Sequence, residues 1–169
     1  MYVKLVMPSK EYWESYKESY NEMSHDGCVK GMDWDGKSSP EAYFQEAIEM
    51  KEGRNLGELI CATNFWVIAD NEYVGRMSIR HELNDWLRNY GGHIGYEIKI
   101  SSRRKGIATK ALALALKYCQ VELNLKEVML TCDDQNIGSI KTIEKNNGLL
   151  KEKRNDQSGR LSRYYIIEL

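Results

Sequence analysis

Arg103-Arg104-Lys105-Gly106-Ile107-Ala108 is the stretch of this 169-residue chain best suited to chemistry, because three consecutive cations run into a glycine that opens a long apolar segment. Gly106 and the small Ala108 let the backbone approach a ligand closely. The first turn of a helix there would present unpaired N–H groups and a partial positive charge to an anion. With Lys110 adding charge at the same end, the segment reads as a cradle for a pyrophosphate. A glycine-containing turn alone is unspecific, and this one fits neither the Gly-x-x-x-x-Gly-Lys-Ser/Thr loop nor the Gly-x-Gly-x-x-Gly turn. Just upstream, His93 and Glu97 share one face of a predicted strand with Gly95 between them, while Tyr96 faces the other way. Trp34, flanked by Asp33 and Asp35, could receive an ammonium by cation–π contact and charge, or could belong to an ordinary surface loop.

Composition narrows the class. A length of 169 residues with 42% hydrophobic content supports one domain, residues 1–169, with a real core. The net charge of −1 gives no nucleic-acid footprint, no apolar run reaches membrane-spanning length, and the N-terminus lacks the character of a secretory signal. Cys28, Cys61, Cys119 and Cys132 are scattered, without the close pairs of a zinc site, and read as reduced thiols. The expectations are a cytoplasmic protein with no metal, no nucleic-acid partner and no membrane association; assembly as a homodimer is left open. Charge is uneven: residues 1–60 hold twelve acidic and seven basic side chains, residues 61–169 thirteen and seventeen. That division suits a cationic acceptor and an anionic cofactor, or reflects solvated helix faces.

The elements that must position these residues follow from periodicity. Tyr2 to Met7 alternates as a strand, and Ser9 is placed to cap a helix reaching about Ser24, with Tyr12, Trp13, Tyr16, Tyr20 and Met23 on one face. Residues 25–38 form a loop. Ser39-Pro40 opens a second helix that Gly53 stops. Thr63–Ala69 and Tyr73–Arg80 predict an antiparallel hairpin, and a connection ending at Gly91-Gly92 leads into a strand from His93 to Ile100. Ile107–Leu123 is apolar nearly all round and predicts a buried helix; Glu127–Cys132 predicts a strand, so that strand, helix and strand make a βαβ unit with parallel strands. A helix from Asn136 to about Asn146 and a hairpin of Leu149–Arg154 with Leu161–Leu169 complete the chain.

The segment from Arg103 to Ala108 resembles the Arg/Gln-x-x-Gly-x-Gly/Ala motif of the GNAT superfamily of N-acetyltransferases, and the element order β-α-α-β-β-β-α-β-α-β-β is that of the family's fold. The resemblance covers essentially the whole chain and is most specific from Gly91 to Gly148. It implies an α/β (α+β) GNAT fold: a mixed central sheet with a splayed parallel strand pair and helices on both faces. It also implies acetyl-CoA as cosubstrate and an amine acceptor, with the acetyl group passing directly from thioester to amine. In the family the pantetheine arm enters the splay as an extra strand. The backbone contacts would come from Tyr96, Glu97 and Ile98, and Arg103, Arg104, Lys105, Gly106, Ile107, Ala108 and Thr109 would hold the pyrophosphate. Asn136 and Ser139 match the family's Asn-x-x-Ala/Ser helix start, whose Asn contacts the arm; helix capping is the other reading.

Two departures leave the acid–base chemistry open. Where relatives often place a Glu this chain has His93, a candidate general base because imidazole titrates near neutrality, with Glu97 as the alternative. Where many carry a Tyr seven residues after the Asn, Ile143 stands, so Tyr164 or Tyr165 on the last strand becomes the candidate acid. These departures also keep open a non-catalytic acyl-CoA-binding sensor with the same fold.

Overall fold

The computed structural model describes residues 1–20, 22–23, 34–155 and 158–169. Strand β1 (Val3–Val6), a 3-10 turn at Lys10–Tyr12 and helix α1 (Trp13–Tyr20) lead to α2 (Pro40–Glu52). Strands β2 (Ala62–Ala69) and β3 (Glu72–Arg80) form the expected hairpin. A π-helical turn at Leu87–Gly91 precedes β4 (Ile94–Ile98), and a 3-10 turn at Ile100–Ser102 follows it. Then come α3 (Ile107–Val121), β5 (Glu127–Asp133), α4 (Ile137–Glu144), β6 (Leu149–Asn155) and β7 (Leu161–Glu168).

Local chemistry accounts for most boundaries. Ser39 Oγ accepts from the Ala42 N–H with Pro40 at the first helical position, and Gly53 closes α2 in the left-handed region at φ 74°. Ser9 behaves differently: its side chain caps nothing, and the tight turn after it delays α1 to Trp13. The predicted end of that helix near Ser24 lies outside the described residues, as do most of the loop, Asp33 and Cys28. Strand β4 stops at Ile98, two residues short of expectation, because the chain turns at Ile100–Ser102 to reach the cradle. Helix α3 buries one face only, through Ile107, Ala111, Leu112, Ala115 and Cys119, and leaves Leu114 and Val121 exposed.

The strands form two sheets, β1-β2-β3-β4 and β5-β7-β6, and every ladder within them is antiparallel. The strands β4 and β5, which flank α3, share no ladder. They part after a single bridge of antiparallel type between Gly92 and Leu130, so the expected parallel pair is a splay without parallel pairing. Between the sheets lies one core: Val67, Met77, Ile79 and Ile94 from the first meet Val128, Leu130, Tyr165 and Ile167 from the second against the buried face of α3. Strand alternation turns the other face of the first sheet toward α1 and α2. There Trp66, Ile68 and Tyr73 pack with Tyr12, Trp13, Tyr16 and Tyr43, so the aromatic face of α1 is core.

Trp66 sits at the centre of this second cluster with 1% exposure, stacked on Tyr16 at 4.7 Å between ring centroids. Trp34 joins from the side, edge-on to Trp13 at 5.1 Å, and its indole N–H donates to the Ser38 carbonyl. Asp35 Oδ1 accepts from the backbone of Lys37 and Ser38 and from Ser38 Oγ, so the turn engages one oxygen of a carboxylate expected to face an ammonium. Replacing Trp66 with Ala should cost about 3–5 kcal/mol in a urea unfolding experiment, the range for truncating a buried aromatic. A loss below about 1 kcal/mol would show that the cluster is not a packed core.

Candidate functional site

The parting of β4 and β5 opens a cleft of about 900 Å³. Its walls come from β3 and β4 on one side, the turn and first residues of α3 at one end, and α4 on the other side. The seam at its vertex is built by His93. Its backbone N–H donates to Met129 O at 2.7 Å, and its Nδ1 accepts from the Met129 N–H at 2.9 Å. Gly92 lies beside it at φ 68°, and a Cβ there would sit 2.5 Å from Met129 O, so only glycine lets the two strands meet. Thr131 Oγ1 donates to Tyr90 O just beyond.

Past the seam, β4 is paired on its β3 side alone. The Lys99 N–H donates to Val74 O and therefore faces β3, so alternation turns the amides of Tyr96 and Ile98 toward the open edge. Ile98 O on that edge accepts from Arg103 Nε at 2.7 Å. The Glu97 carbonyl instead lies against Gly75 of β3, so Glu97 reaches the cleft through its side chain. Exposed strand-edge amides of this kind need a partner, and an extended amide-containing chain supplies one.

At the cradle the backbone is unusual in two places: Arg104 has φ 64° and Gly106 φ 77°, both left-handed. A Cβ on Gly106 would meet nothing within 4 Å, so backbone conformation and not crowding is what requires glycine. No side chain caps α3, and its first turn carries no acidic residue. The N–H groups of Ile107, Ala108 and Thr109, all lining the cleft, are thus left for an anion. Arg103 and Arg104 border the same space, whereas Lys105 Nζ donates to Ser101 O and Lys110 Nζ to Met1 O, both outside it. From the opposite wall come Lys141 on α4 and Lys145 at its C-cap, one helical turn apart. Asn136 caps α4, its Oδ1 accepting from the Ser139 N–H at 3.0 Å, and both residues line the cleft.

The titratable candidates separate. Among the described residues, Glu97 is the one carboxylate lining the cleft; Arg76 Nη2 donates to it at 2.7 Å and Arg103 Nη2 lies 3.6 Å away. Among the described residues the Tyr96 hydroxyl, buried between β4 and α4, has no hydrogen-bond partner, and burial is the main cause that pushes its pKa up to about 12. His93 is not among the lining residues; burial foremost, then the charges of Arg88 and Arg80, push its pKa down to about 4. The neutral ring that results is the form able to accept from Met129. Tyr164 also lies elsewhere, its hydroxyl donating to Asn89 O and its ring covered by the Arg154 guanidinium at 3.9 Å. It borders a separate cavity of about 130 Å³. Burial pushes the Cys132 thiol up to about 11, so it is no thiolate nucleophile. Sequence reasoning missed Arg76, Arg80, Lys141 and Lys145. The signal was there for the first two: basic residues four apart in a strand flanked by apolar ones belong on one buried face.

The family model described as "Acetyltransferase (GNAT) domain" matches residues 9–148, and the chain belongs to this family. No curated protein matches it in sequence. Solved structures share the fold. "RimL- Ribosomal L7/L12 alpha-N-protein acetyltransferase in complex with Coenzyme A" is similar with a TM-score of 0.67 at 15% identity, over 99% of this chain and 94% of that one. "Mycobacterium smegmatis RimJ in complex with CoA-disulfide" gives 0.66 at 20% identity, over 98% and 81%. The microcin C7 self immunity acetyltransferase MccE, in complex with acetyl-CoA and AMP, gives 0.64 at 14% identity, over 99% and 92%.

The seam makes a pH prediction. His93 has an ordinary pKa of 6.5 when unfolded and about 4 when folded, so the unfolded chain takes the proton first as pH falls. Its contribution to stability is intact above about pH 6.5 and is lost progressively down to about pH 4. In His93→Asn, whose Oδ1 can take the Met129 N–H, the urea midpoint should fall less over that interval than in the wild type. Equal pH dependence in the two proteins would remove His93 from the seam.

Proposed function

We propose that this chain is an N-acetyltransferase moving the acetyl group of acetyl-CoA directly to an amine of a small molecule or peptide. One observation carries the reading: a single cleft joins an uncapped, left-handed, cationic cradle to a strand edge with open amides and ends beside a carboxylate. The parts fit the cosubstrate piece by piece. The α3 amides, Arg103, Arg104, Lys141 and Lys145 would hold the pyrophosphate, and Ile98 and Asn136 the amide-containing arm. When bound, acetyl-CoA supplies an activated thioester.

The chain's own residues supply the rest. An alkyl ammonium has a pKa of about 10 and must lose a proton before attack. Glu97, held in place by Arg76 and Arg103, accepts that proton through water. The open-edge N–H of Tyr96, the farther of the two from the cradle, donates to the carbonyl oxygen as charge develops on it. The Tyr96 hydroxyl, protonated at neutral pH and next to Ser139 and Thr142, gives the departing thiolate its hydrogen bond. His93 acts as a positioning residue that pins the vertex. One domain spanning residues 1–169 in the cytoplasm completes the proposal, and the free thiols of Cys61, Cys119 and Cys132 suit a reducing compartment.

Two measurements check it. Gly106→Val forces a β-branched residue into the left-handed region and should weaken acetyl-CoA binding by at least about tenfold while the fold persists. Unchanged affinity would contradict the cradle. Thiol release should require both acetyl-CoA and an amine from a panel of polyamines, amino acids, aminoglycosides and peptides. Glu97→Gln should lower kcat by about a hundredfold or more, with acetyl-CoA affinity changed only a few-fold. Tight acetyl-CoA binding with no thiol release for any amine would make the chain a sensor.

A further inference from the structure

The face of β3 turned toward α1 and α2 carries Arg76, Ser78 and Arg80 at alternate positions, all buried. Arg76 is committed to Glu97. Arg80 is 7% exposed, and among the described residues its Nη1 donates only to backbone carbonyls, Gly92 O at 3.2 Å and Gly91 O at 3.4 Å. Among the described residues, no carboxylate lies within ion-pair distance of it. Ser78 Oγ, the neighbour on that face, is buried with no hydrogen-bond partner among the described residues. Backbone dipoles do not neutralise a buried cation, so the guanidinium is a charge waiting for an anion.

The cleft gives that anion a way in. Arg80 and Gly95 both line it, and a Cβ on Gly95 would sit 3.5 Å from both Nη1 and Nη2 of Arg80. Any side chain at position 95 would therefore cover the guanidinium, and glycine leaves it open. Gly95 lies near the start of β4 whereas the cradle follows its end, so Arg80 borders the part of the cleft away from the pyrophosphate site.

We infer that Arg80 binds a carboxylate of the acceptor, which makes the acceptor an amine that also carries a carboxylate. The inference rests on the transferase reading above. The planar fork of arginine matches a carboxylate with two parallel bonds. Glu97, two residues from Gly95 on the same face, receives the ammonium end. The carboxylate can be that of a free amino acid or an acidic side chain beside the N-terminus of a peptide.

Thiol release by the full chain with acetyl-CoA separates these cases in matched pairs: amino acids against their amides, and peptides beginning with Asp or Glu against those beginning with Asn or Gln. One type of pair should favour the carboxylate member by about tenfold to a hundredfold in kcat/KM, as expected for hydrogen bonds to a charged group, and that type identifies the source. Arg80→Met should bring the ratio near one, and Arg80→Lys should restore part of it. Equal kcat/KM within every pair, or a ratio that survives Arg80→Met, would overturn the assignment. If Arg80→Met does not fold, the wild-type ratios decide alone. The Arg80 Nε–H signal in NMR asks the question without turnover: in the CoA complex it should shift with N-acetyl amino acids or N-acetylated acidic peptides and not with the matching amides. An equal response or none counts against the assignment. That response without thiol release from any amine would sink the transferase reading and leave the carboxylate site standing.

Discussion

The structure depends on a two-sided contact between His93 and Met129. Two antiparallel sheets that share no ladder are held at one vertex by a backbone bond from His93 to Met129 O and a return bond from the Met129 N–H to the imidazole. Gly92 permits the approach, and its bridge to Leu130 is the last backbone pairing before the strands diverge. A longer ladder would close the cleft. No contact at all would separate the sheets and expose the core they share with α3.

From that constraint the site assembles itself. Because β4 is laddered on one side only, its other edge offers amides along the length of the cleft. Because β4 stops at Ile98, the chain can turn through Arg104 and Gly106 in left-handed conformations and start α3 with its N–H groups aimed at the same space. Strand alternation then sorts the side chains. Ile94, Tyr96 and Ile98 join the core around α3, while Glu97 and Gly95 face α1 and α2 alongside Arg76 and Arg80. One strand thereby offers open amides on its edge and charged side chains on its face.

The fold was legible because its signals are local. Alternation marked the strands, Pro40 and Gly53 bounded α2, and the cations before Gly106 marked the cradle. Residues whose roles depend on cross-strand register were hidden. Arg80 matters because Gly95, paired with Ser78 on the neighbouring strand, leaves its guanidinium uncovered, and Lys141 and Lys145 because α4 packs opposite the cradle; neither fact is written in a single stretch of sequence. His93 shows the reverse case. Its type and strand position pointed to proton transfer, but its surroundings lower its pKa and give its Nδ1 to a backbone amide, which fits a pin better than a base. Tyr164 was likewise placed by type alone, and packing turned its hydroxyl to Asn89.

The central claim is that the gap between β4 and β5 receives acetyl-CoA. Titrating acetyl-CoA into isotope-labelled protein and following backbone amides by NMR tests it most directly. The account predicts saturable shifts at Tyr96 and Ile98 on the open edge and at Ile107, Ala108 and Thr109 in the cradle, with the amides facing β3, such as Lys99, little changed. Saturable shifts confined to the small cavity beside Tyr164, or no shifts at all, would contradict it.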